Sequence, residues 1–141
     1  MKLSKDTQSV IDRCNLLIKE YGEKCKLLSG DNLLDMKDRL SVAYCYLGEV
    51  EAEYFKDAAI AYKNRKIVMS SNIATAISEG QAISRANAEA DNDPDAQSAR
   101  YDEITKSYLA HSVKNLLKGI DKVLSAIDYR LTRLRDERKT P

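Results

Sequence analysis

A chain of 141 residues, 43% apolar and 32% charged, can bury a moderate core, and its net charge of +1 is too small to coat nucleic acid by bulk attraction. Five Gly and two Pro are too few for the turns of an all-β fold, and sustained apolar periodicity excludes a disordered chain. No apolar run approaches the ~20 residues of a membrane span, and Met1-Lys2-Leu3-Ser4-Lys5-Asp6 has no signal-peptide core, so a soluble cytoplasmic protein is expected.

The first helix is expected over 5–28, with Ser4 or Asp6 as its cap. Ile11, Cys14, Ile18, Tyr21, Cys25 and Leu28 recur three and four residues apart, the spacing of a coiled-coil seam. Ser29-Gly30-Asp31-Asn32 then supplies a stop and a new cap, which makes the first two helices antiparallel neighbours. The second helix is expected over 32–79. Its stripe runs through Leu33, Met36, Leu40, Ala43, Leu47, Val50 and Tyr54, then shifts by one residue onto Phe55, Ala58, Tyr62, Arg65 and Met69. Gly80 is its expected end.

From Gly80 to Asp95 the chain is rich in Ala, Ser, Asn and Asp, which reads as a short helix over 84–90 and a turn. Asp93-Pro94 is a cap and first-residue pair for a last helix over 95–137. Leu117, Ile120, Leu124, Ile127, Leu131 and Leu134 form a three-four seam there, inside a broader stripe that includes Val113, Leu116 and Val123. The pattern predicts one all-α domain over 1–141: long amphipathic helices in a hairpin or coiled-coil-like bundle. Apolar surface on such long arms is covered by self-association, so these seam residues are read as a homo-oligomer contact.

Chemistry for an enzyme is missing. His111 is the only histidine and reads as a residue on or beside the core stripe of the last helix. There is no phosphate loop and no zinc or calcium motif; Asp91, Asp93 and Asp95 lack the Gly and Glu of a calcium loop. Cys14, Cys25 and Cys45 have no metal spacing and read as buried free thiols on apolar helix faces. Glu49, Glu51, Glu53 and Asp57 read as a solvated acidic face. No catalytic residue, metal or cofactor is expected.

Two basic clusters remain. Tyr62, Lys63, Arg65 and Lys66 combine an aromatic ring with three cations, a set suited to phosphates and unstacked bases. Lys114, Lys118 and Lys122, four apart, form a ridge on the last helix, with Lys106 before them and Arg130, Arg133, Arg135, Arg138 and Lys139 after them. Basic residues near a helix C-terminus also offset its dipole, and long helices carry charge to stay solvated.

Over residues 45–130 the chain resembles the UvsY-type recombination mediators of bacteriophages. The resemblance is carried by Lys63-Asn64-Arg65, similar to the Lys-x-Arg pair of that family's DNA-binding segment. Leu124-Ser125-Ala126-Ile127-Asp128-Tyr129-Arg130 is similar to the Leu-x-Ala-Ile-x-x-Arg run of its C-terminal helix. The longer N-terminal helix and the segment from Gly80 to Asp95 depart from the pattern. The resemblance implies an oligomeric single-stranded-DNA binder that assists a recombinase in the cytoplasm of the host cell. The other reading is a helical protein–protein module, such as a phage adaptor or an inhibitor of a host defence complex, working without nucleic acid through the acidic face.

Overall fold

Local capping chemistry sets where the three longer helices begin in the computed structural model, which describes residues 3–139. The Ser4 hydroxyl accepts from the Thr7 amide at 3.1 Å and opens α1, Lys5–Lys24. The helix stops four residues before Leu28, because the chain turns there: the Leu27 and Leu28 amides both donate to the Lys24 carbonyl, at 2.8 and 3.2 Å. Ser29, whose hydroxyl accepts from the Asn32 amide at 3.2 Å, caps α2, Gly30–Ser78. Gly30 is therefore the first residue of α2 and not the stop for α1.

Gly80 does end α2. With a φ of 92° it occupies the left-handed region, its amide donates to the Ile77 carbonyl at 3.0 Å, and the Gln81 amide donates to the Ala76 carbonyl at 3.0 Å. A short helix α3, Ile83–Glu89, and a 3-10 turn, Ala90–Asn92, follow. The Asp93 carboxylate then accepts from the Asp95 and Ala96 amides at 3.1 and 3.4 Å, opening α4, Pro94–Lys139. The described residues are 91% helical and contain no strand. None of these helices is long and apolar enough to cross a membrane.

The described residues form two compact units: Ala52–His111, and residues 3–51 together with residues 112–139. The second unit is a three-helix arrangement of α1, the first half of α2 and the second half of α4. A Thr7–Tyr46 hydroxyl contact at 3.2 Å and a Lys37–Asp128 ion pair at 2.7 Å fix α1 against α2 and α2 against α4, both antiparallel. Cys14, Leu33, Met36, Leu40, Leu47, Val113, Leu117, Ile120 and Ile127 are buried in it. Leu117, Ile120 and Ile127 are thus the chain's own core, while Leu124, Leu131 and Leu134 are half-buried. The six-residue seam read as an oligomer contact is corrected: half of it is already covered intramolecularly and has no apolar surface left for a second copy.

The unit Ala52–His111 pairs the second half of α2 with the first half of α4, antiparallel, with α3 at the turn. Its buried set is Tyr54, Ala61, Ala86, Ala90, Ala96 and Ala110, an interior made mostly of alanine. The expected one-residue shift of the α2 stripe leaves Ala58, Arg65 and Met69 half-buried but does not bury Phe55 or Tyr62. Leu33, Leu40, Leu47, Tyr54 and Ala61, seven apart, are all buried, whereas Phe55 and Tyr62 are 38% and 46% exposed.

The thiols follow the same geometry. Cys14 is buried, Cys25 half-buried at the end of α1, and Cys45 exposed, which corrects the reading of three buried thiols. Burial pushes the Cys14 thiol up from its ordinary value of 9.0, and nearby Arg13 only partly opposes this. Because the thiolate is the reactive form, a disulfide reagent at neutral pH is expected to modify Cys45 first, Cys25 next and Cys14 only on unfolding. Peptide mapping of labelled protein over time checks this order, and early labelling of Cys14 would contradict the packing of α1.

Candidate nucleic-acid interface

Helix α2 carries Tyr62, Lys63, Arg65 and Lys66 on the half that belongs to Ala52–His111. Tyr62 is free of the core because Ala61 takes the buried position beside it. Its ring is lined by cations: the Arg65 guanidinium lies 5.4 Å from the ring centroid and the Lys66 ammonium 5.2 Å. Lys63 and Lys66 are exposed, and neither forms an ion pair among the described residues. Arg65 differs: it is half-buried and ion-paired with Glu103 of α4. Of the three cations in the cluster, two are open to a ligand and one is held within the protein.

The Arg65–Glu103 pair and an edge-on Phe55–His111 contact, centroids 6.0 Å apart and planes at 88°, mark one side of this helix pair. Phe55, Tyr62 and Lys66, seven and four apart, follow that side along α2. Tyr101, Ile104, Tyr108 and His111, three, four and three apart, follow it along α4. Tyr101, Ile104 and Tyr108 are 73%, 59% and 71% exposed. The result is a face of exposed rings with Lys66 among them. The interior of the unit is mostly alanine with Tyr54, while Phe55, Tyr62, Tyr101, Ile104 and Tyr108 lie outside. An exposed patch of that kind is the informative departure from ordinary surface composition.

The sequence alone singles out neither Tyr101, Ile104 and Tyr108 nor Glu103. The available signal is a second apolar periodicity on α4, offset from the core stripe, which the stronger C-terminal heptads overshadow. His111 is exposed and lies beside the core stripe, on which its neighbour Ala110 takes the buried position.

The second basic cluster belongs to the other unit. Lys114, Lys118 and Lys122 are exposed along α4 after Ser112, so the two clusters fall in different compact units. Lys106 pairs with Asp102 at 3.0 Å and Arg135 approaches Asp136 at 3.9 Å. Arg130 is half-buried, near Tyr21; burial raises the Tyr21 phenol above its ordinary value of 10.0, Cys25 adds to the rise and Arg130 opposes it.

The acidic residues also have defined surroundings. Asp93 caps α4 and accepts from the Asn72 side-chain amide at 3.3 Å, Asp91 lies 3.8 Å from Arg100, and Asp95 is exposed. No group of three or more His, Cys, Asp or Glu among the described residues is placed to hold a metal ion. Glu49 and Glu53 are exposed, while Glu51 and Asp57 are half-buried.

An apolar cleft of about 600 Å³ lies between α1 and α2 in the other unit, lined by Val10, Cys14, Leu17, Ala43 and Tyr46, with Leu16 and Val42 exposed at its edge. No family model, curated protein or solved structure matches the chain.

Proposed function

We propose that this protein is a single-stranded-DNA-binding accessory factor of phage-type recombination or replication, acting in the cytoplasm as an oligomer and without chemistry of its own. The observation that carries the reading is the ring-and-lysine face of Ala52–His111, in which exposed Tyr62 sits within 5.2 Å of Lys66 and beside exposed Lys63. Every base has a π-face, so tyrosines accept unstacked bases without regard to sequence, while lysines track the phosphates. A duplex offers phosphates but keeps its bases stacked, so such a face discriminates in favour of single strands. The balanced total charge of +1 keeps each site weak, and self-association through faces that remain exposed multiplies it by the number of subunits. A recombinase is the partner that the family resemblance implies.

Fluorescence anisotropy with a labelled oligonucleotide, as a single strand and as a duplex, tests the reading. The single strand is expected to bind at least about tenfold more tightly, since each base stacked on an aromatic ring contributes ~1–3 kcal/mol. Equal affinity for both forms would reduce the face to a phosphate binder.

A protein-partner module is the second reading, favoured by the α1–α2 cleft with Leu16 and Val42 at 66% and 73% exposure. It predicts that folded protein ignores both oligonucleotides at low salt.

A further inference from the structure

The nucleic-acid reading leaves one feature of the same face unexplained. Arg65 lies 5.4 Å from the Tyr62 ring centroid, within reach of the phosphate of a base stacked there, yet its guanidinium is ion-paired with Glu103. The pair is well shielded, with the two side chains 25% and 20% exposed. A planar guanidinium binds carboxylate and phosphate with the same fork of N–H donors, so the two anions compete for one group. Lys63 and Lys66 face no such competitor among the described residues.

We infer that Glu103 is an internal competitor for phosphate: it occupies Arg65 in the free protein and yields it to the backbone of a bound single strand. This rests on the nucleic-acid reading and adds a regulatory element to it. Glu103 comes from α4 and Arg65 from α2, so the exchange replaces a bond between the two helices of this unit with a bond to ligand. Arg65 stays beside the Tyr62 ring in both states, which keeps it oriented for the phosphate of a base stacked there. Affinity is thereby held down, and only a strand that places a phosphate at Arg65 releases it.

The test compares wild type, Glu103→Gln, and the double variant Arg65→Gln/Glu103→Gln for binding a labelled single-stranded oligonucleotide across a salt series. Glu103→Gln frees the guanidinium and keeps the side-chain size. It is expected to bind about three- to tenfold more tightly at ~50 mM salt with an unchanged log–log salt slope, because Arg65 meets the same phosphate in both complexes. A slope steeper by about 0.7 would mean that Arg65 stays with Glu103 in the wild-type complex, and would overturn the inference. Adding Arg65→Gln is expected to remove the whole gain. A folded Glu103→Gln protein with wild-type affinity would overturn the inference while leaving the nucleic-acid reading standing. A wild type that binds no single strand would overturn both.

A second measurement needs no variant. In heteronuclear NMR of the wild type, the Arg65 Nε–H resonance is expected to shift on saturation with oligonucleotide as its acceptor changes from carboxylate to phosphate. A resonance unmoved at saturation would show that the pair persists, and would overturn the inference.

Discussion

Replacing Leu40 with alanine is expected to destabilise the unit formed by α1, the first half of α2 and the second half of α4 by about 2–5 kcal/mol. Leu40 has no exposed surface and lies on the α2 heptad between Leu33 and Leu47, which are equally buried. Truncation removes the transfer free energy of three carbons and their attached hydrogens and leaves a cavity that rigid helices cannot collapse around. Leu27, 85% exposed in the turn after α1, is the matched control. Its alanine variant is expected to stay within about 0.5 kcal/mol of wild type. Urea denaturation followed by circular dichroism reads both. Similar losses at the two positions would mean that the α2 stripe is phased differently from the one described.

The second large effect is functional. Tyr62→Ala with Lys63→Ala and Lys66→Ala is expected to weaken single-strand binding by more than about tenfold at ~50 mM salt. One lost stacking ring alone accounts for ~1–3 kcal/mol, and two lost cations add to it. All three side chains are exposed, so stability is expected to change little. The thermal unfolding midpoint of the variant, measured beside its affinity, separates loss of the face from loss of the fold. The matched variant on the other basic ridge, Lys118→Ala with Lys122→Ala, is expected to keep most of the affinity. The reverse ranking would move the site to the lysine ridge that follows Ser112.

The fold was legible where short-range chemistry decides it. Ser4, Gly80 and Asp93-Pro94 act as caps and stops through bonds to residues within a few positions, and the sequence displays those signals directly. The seam on α4 was legible as a stripe, but its partner was not. Periodicity says that Ile120 and Ile127 are covered and is silent on whether the cover is the same chain or another copy.

The candidate site was half legible. Tyr62, Lys63, Arg65 and Lys66 stand together in the sequence, but placing Tyr62 on the apolar stripe would have buried the ring. It is exposed because Ala61 takes the core position. Tyr101 and Tyr108 are some forty residues away in the chain, and Glu103 reaches Arg65 only across the antiparallel pairing of two helices. Linear spacing on one helix carries no register against another, so no reading of α2 alone could find them.

The most direct test of the central claim is the salt dependence of single-strand binding by wild type and by the Tyr62/Lys63/Lys66 triple alanine variant, between about 50 and 200 mM salt. The wild type is predicted to bind at the lower salt and to weaken steeply, and the variant to bind less tightly with a log–log slope shallower by about 1.4, two phosphates' worth for a single strand. Folded wild type that fails to bind at the lower salt, or a variant with the affinity and slope of wild type, would contradict the account.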